Sequence, residues 1–146
     1  MFSYSSLERF KQCPLRYKFQ YIDKVETGAR PNIYSFMGAR VHEVLERLYK
    51  QLMFEKRPDL EELLEYYNER WEAEWSDEVI VKEEGAPERC KREGERCIRR
   101  YFENYKPFNQ DRTIGVELRV AIDLDGYRLT GYIDRLAEVA EGFYQI

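Results

Sequence analysis

The sequence carries one histidine, His42, in the run Gly38-Ala39-Arg40-Val41-His42-Glu43. Imidazole is both a metal donor and a side chain that exchanges protons near neutral pH, although a lone helical histidine among apolar neighbours also serves as an ordinary structural or solvated residue. Asp134 follows Ile133 in a stretch of β-forming residues, where aspartate is disfavoured. It is there for chemistry or as a solvated or arginine-paired strand residue. Glu117 stands in an earlier alternating segment, and alternation alone would put a polar residue at its place. Carboxylate oxygens and one imidazole together suit hard divalent cations, with the imidazole favouring Mn²⁺ without excluding Mg²⁺. Arg135 offers a phosphate contact or a partner for an acid. Cys13, in Cys13-Pro14-Leu15-Arg16-Tyr17, is open as a thiolate ligand. Cys90 and Cys97, seven residues apart, share a helix face with Tyr101 and read as small core residues.

Basic residues form two groups. Arg89, Arg92, Arg96, Arg99 and Arg100 fall along one helical stripe that could follow a DNA backbone. Interleaved Glu88, Glu93, Glu95 and Glu103 favour a solvated, salt-bridged face instead. Lys11, Arg16 and Lys18 form the second group. Tyr66, Tyr67, Trp71 and Trp75 read first as helix packing, with one exposed ring available to stack on a base.

These residues need elements to hold them. Ser5 with Glu8 predicts a capping box at the first helix, whose apolar face closes at Phe10. Pro14 suits the first turn of a second helix, Leu15 to Ile22, and a loop is expected from Thr27 to Asn32. Apolar residues at three- and four-residue steps predict a long helix from Tyr34 to about Phe54, with Gly38 permitting a close approach. Asp59 is the expected cap of a helix through Trp75, with Leu60, Leu63, Leu64, Tyr67, Trp71 and Trp75 on its buried side. Pro87 opens another helix to about Tyr105, which Pro107 ends. The period then changes to two. Ile114 to Leu124 alternates as a strand, Asp125-Gly126 is a type I′ hairpin signal, and a second strand runs from Tyr127 to Val139 before a third begins at Phe143. The expected class is α+β (or α/β), with N-terminal helices followed by the first strands of a mixed sheet, in one domain over residues 1–146.

Composition bounds the function. In 146 residues, 43% hydrophobic with 15% aromatic, there is enough apolar material for a core despite 36% charged residues. A net charge of −4 argues against a protein that coats nucleic acid through a wholly basic surface. It leaves room for an enzyme that gathers carboxylates around cations. Three cysteines and no secretory signal argue against a disulfide framework as the organising device. No apolar run approaches the roughly 20 residues that span a bilayer, so no membrane role and a cytoplasmic location are expected.

Four segments then arrive in one order: SYSSLERFKQCPLRYKFQYI, GARVHEVLERLY, GVELRVAIDLDGYRLTGYIDRL and GFYQI. Together they resemble the RecB-like branch of the PD-(D/E)xK nuclease superfamily, which includes nuclease domains of bacterial recombination helicase complexes and CRISPR-associated adaptation nucleases. Residues from Glu55 to about Pro107 lie outside the resemblance. It implies a restriction-endonuclease-like core, here partial, and metal-dependent hydrolysis of DNA, exonucleolytic at ends or on single strands. DNA and a helicase or recombination subunit are the implied partners. His42 and Asp134 are the implied ligands of Mg²⁺ or Mn²⁺, with Asp134 catalytic; Glu117 is a further candidate catalytic carboxylate, on the separate ground that it shares the sheet and could face the same site. Cys13 matches the first ligand of a [4Fe–4S] cluster found in some relatives, whose other three cysteines would follow Ile146. The D/E-x-K that names the superfamily does not occur in these residues. It is expected after Ile146, so the domain is read as C-terminally incomplete and inactive by itself.

Overall fold

The computed structural model describes residues 2–25, 28 and 30–146. Part of the expected loop from Thr27 to Asn32 therefore lies outside the described residues. The chain folds as two compact units: residues 1–29 with 117–134, and residues 30–116 with 135–146.

The first unit opens with strand β1 (Phe2–Ser3), followed by helix α1 (Tyr4–Gln12), the single-turn helix α2 (Pro14–Tyr17) and a π-helical turn over Lys18–Ile22. The cap of α1 is Ser3, two residues before the expected Ser5. Ser6 N–H donates to Ser3 Oγ at 3.2 Å while Ser3 N–H donates to Ser6 Oγ at 2.9 Å. The shift has a tertiary cause: Phe2 and Ser3 are held extended by parallel pairing with Leu129 and Thr130, so the helix begins as soon as the strand ends. Pro14 occupies the first turn of α2 as expected, whereas the predicted continuation to Ile22 widens into the π turn. The apolar face of α1 is only partly covered. Phe10 is 51% exposed and packs edge-on against Tyr17 at 5.4 Å, and Ser6 is the helix's only buried residue.

The second unit is built on helices α3 (Ile33–Met53), α4 (Leu60–Glu74) and α5 (Ala86–Tyr105). Asn32 caps α3 through its side-chain oxygen, which accepts from Tyr34 N–H at 3.0 Å and Ser35 N–H at 2.9 Å. The Asp59 cap of α4 is as expected, with Glu62 completing the reciprocal box. The core joins Phe36, Val44 and Leu48 of α3 to Leu63, Leu64, Tyr67 and Trp71 of α4 and Ala86, Cys90 and Ile98 of α5. Trp75, expected inside, is 36% exposed and stacks on Trp71 at 6.0 Å.

Two expectations about α5 and α3 are corrected. Cys97 is exposed, because the buried line of α5 advances by fours through Cys90, Gly94 and Ile98 and leaves a residue seven positions from Cys90 at its edge. The close approach falls at Gly94, where a Cβ would meet the Tyr67 hydroxyl at 2.0 Å, and not at Gly38, whose Cβ position has nothing within 4 Å.

Strands β2 (Arg112–Leu124), β3 (Tyr127–Ala140) and β4 (Phe143–Gln145) complete the elements, and β2 and β3 each contribute to both units. Among the described residues one mixed sheet has the order β1-β3-β2, with β4 antiparallel to β3. Asp125 and Gly126 both take positive φ, 48° and 83°, as a type I′ turn requires. The architecture is α+β.

Candidate active site

His42 and Glu46 lie one turn apart on α3. This spacing places both on one face of the helix, turned away from the Val44 and Leu48 side that enters the core. Their ligand atoms come within 4.8 Å of one another. An imidazole and a carboxylate at that separation are a donor pair for a divalent cation, and the donor chemistry fits Mg²⁺ or Mn²⁺. Glu46 also accepts a hydrogen bond from the Lys50 ammonium. Glu46 was not among the residues singled out from the sequence, although H-x-x-x-E on a helix is a signal that could have found it.

Glu43, the acidic neighbour of His42, is committed elsewhere. Arg40 donates to it at 2.6 Å and Arg70 at 3.1 Å, and Arg70 reaches on to Glu74 at 2.7 Å. Charge-assisted bonds of this kind fix the pitch of α3 against α4.

The same face of α3 continues to Tyr49, seven residues after His42. The Arg135 guanidinium of β3 lies 4.0 Å from the Tyr49 ring centroid, donates to Thr113 Oγ1 at 3.2 Å and pairs with Asp111. Arg135 thus takes the acid-pairing role, reinforced by a cation–π contact. Tyr49 and Tyr101 share a hydrogen bond of 2.6 Å between their hydroxyls. Burial, with that hydrogen bond, pushes the Tyr49 phenol well above its usual range, so it remains protonated.

In the first unit, Glu117 lies on β2 and Asp134 is an exposed residue of β3. Glu117 has φ 53° inside a strand. A non-glycine residue in the left-handed region costs of order 1–3 kcal/mol and persists where the surroundings hold it, as such residues do at functional sites.

Cys13 caps α2, its Sγ accepting from Arg16 N–H at 3.4 Å. A [4Fe–4S] cluster needs four ligands. The chain has three cysteines, of which Cys90 is packed in the helical core, so its own thiols do not fit a cluster.

The basic groups divide. Arg89 pairs with Glu83 at 2.6 Å and Arg96 pairs with Glu93, while Arg92, Arg99 and Arg100 are exposed with no ion pair among the described residues. Lys11 pairs with Glu8 at 3.2 Å and Lys18 with Asp23 at 2.6 Å. Tyr67 and Trp71 are buried, and Tyr66 lies under the Arg47 guanidinium at 4.3 Å, so packing accounts for most of these rings.

No helix among the described residues is long and apolar enough to cross a membrane. No curated protein and no solved structure matches the chain. The family model described as the PD-(D/E)XK nuclease superfamily matches residues 1–146, the full span over which the imidazole, the carboxylates and the closing strands are distributed. On that match the chain belongs to the PD-(D/E)XK nuclease superfamily.

Proposed function

We propose that the chain is a RecB-like member of the superfamily, with a nuclease domain that hydrolyses DNA phosphodiesters with Mg²⁺ or Mn²⁺, exonucleolytically, at ends or on single strands. Recombination, repair or CRISPR adaptation is the proposed setting, with a helicase or recombination subunit as partner. Membership of the nuclease superfamily over the whole chain carries this reading. His42 and Asp134 are the proposed metal ligands, with Glu117 as the catalytic carboxylate and Glu46 as an added donor. The closeness of the His42 and Glu46 donor atoms supports the metal role of α3.

A bound Mg²⁺ or Mn²⁺ would supply Lewis acidity at the phosphodiester and at water. The protein's part is to hold donors in place. Arg135, next in sequence to Asp134, is tied to Asp111, Thr113 and Tyr49, which limits movement of β3 beside the proposed ligand.

Calorimetric titration with Mn²⁺ tests the assignment. One specific site is expected, weakened at least tenfold in His42→Ala and in Asp134→Asn, with folding checked by circular dichroism. Absence of a specific site, or variants that both keep the parent's affinity, would remove the metal assignment. The second reading, a nuclease-like module that binds DNA without cutting it, is favoured by one observation: no acidic-x-lysine motif occurs among these 146 residues.

A further inference from the structure

We infer that the solvent face of α5 is a docking surface for the phosphodiester backbone of DNA. The stripe lies outside the four segments that carry the family resemblance, and its own geometry points to the ligand. At 100° per residue, Arg89, Arg92, Arg96, Arg99 and Arg100 fall within about one third of the helix circumference. That third is opposite the line through Cys90, Gly94 and Ile98 that enters the core. From first to last the stripe is about 16 Å long, using the α-helical rise per residue. One DNA strand places about five phosphates over that distance.

The charge is concentrated against the trend of the chain. Helix α5 carries six cations and four carboxylates, whereas the whole chain has a net charge of −4. Glu83 and Glu93 occupy Arg89 and Arg96. Arg92, Arg99 and Arg100 keep their guanidinium groups in solvent without an ion pair among the described residues. Residue type adds a second indication. Solubility alone would be served equally by lysine, yet five of the six cations are arginine, whose planar fork matches two phosphate oxygens at once. The single lysine, Lys91, is turned to a structural use and donates to Glu72 of α4 at 2.6 Å. The arginines therefore collect on the free side and the lysine on the packed side.

The nature of the occupant rests on the nuclease reading, and the test separates the two. Binding of a fluorescein-labelled oligonucleotide, as single strand and as duplex, is followed by anisotropy in EDTA, where no metal site contributes. The triple variant Arg92→Ala/Arg99→Ala/Arg100→Ala is expected to bind about tenfold more weakly or worse at low salt. Its slope of log affinity against log salt should fall by about two to three, as loss of three phosphate contacts requires. Its melting temperature should match the parent, because the three side chains lie opposite the core. The corresponding triple lysine variant should recover most of the affinity.

The inference is overturned if the parent chain does not bind DNA in EDTA, if the alanine triple binds as the parent does, or if the lysine triple is as defective as the alanine triple. An unaffected alanine triple in a protein whose Mn²⁺ site depends on His42 would remove the α5 surface and leave the nuclease reading. A sensitive triple in a protein with no Mn²⁺ site would do the reverse.

Discussion

Glu117 combines a carboxylate with a backbone conformation that a β-strand does not ask for, φ 53°. Glycine takes that conformation without a Cβ penalty, whereas alanine keeps the penalty and loses only the carboxylate. Glu117→Gly should therefore be more stable than Glu117→Ala by about 1 kcal/mol, the reverse of the usual order within strands. Urea unfolding of the two variants checks this, and an alanine variant equal to or more stable than the glycine one would show that the backbone is not strained. Arg135 makes the complementary case. Its guanidinium is 26% exposed and holds Asp111, Thr113 and the Tyr49 face together. Removing one member of such a half-buried pair leaves Asp111 without its cation, so Arg135→Met should lower stability by about 2 kcal/mol. An unchanged denaturation midpoint would reduce the network to decoration.

Helix α5 meets α4 through a contact that only glycine permits. A methyl group at Gly94 would overlap the Tyr67 hydroxyl, so Gly94→Ala should cost about 3 kcal/mol as the helices are forced apart. Tyr67→Phe removes the nearest atom and should rescue part of that loss. It also deletes a buried hydroxyl that has no hydrogen-bond partner among the described residues, and so should be neutral or mildly stabilising in the parent. Thermal melts of the two single variants and the double variant form the cycle, and strict additivity would argue against direct contact. Between strands, the Arg112 guanidinium on β2 holds the Glu138 carboxyl of β3 below its usual range, with Gly142 N–H assisting. Glu138 has its pKa lowered on folding, so its contribution is present above the ordinary glutamate value and is lost as pH falls through the depressed one. In an NMR titration, Arg112→Ala should bring the Glu138 midpoint back up, and no movement would remove Arg112 as the cause.

For the whole chain, the expectations are a specific Mn²⁺ site, DNA binding along α5 and no cleavage. The superfamily's acidic-x-lysine pair does not occur in the 146 residues, and without that lysine the reacting water lacks its electrostatic partner. A plasmid-nicking assay with Mn²⁺ should show uncut DNA. Metal-dependent nicking that disappears in His42→Ala would overturn this expectation and assign full activity to the residues present.

Element identity followed from the sequence wherever periodicity was sustained. The α3, α4 and α5 cores and the β2–β3 hairpin were all legible, because amphipathic spacing and the Asp125-Gly126 turn are local signals that tertiary contacts only reinforce. His42 and Asp134 stood out for the same reason, as residue types at odds with their surroundings. What tertiary structure alone decided depended on partners distant in the chain. Pairing of Phe2 and Ser3 with β3 moved the first helix cap from Ser5 to Ser3. Packing against Tyr67 put the close approach at Gly94 and left Cys97 outside. Asp111, far from β3 in sequence, claimed Arg135 as a structural ion pair. Each is a contact between residues that no short window contains, and the energy of such contacts overrides local preference whenever the two disagree.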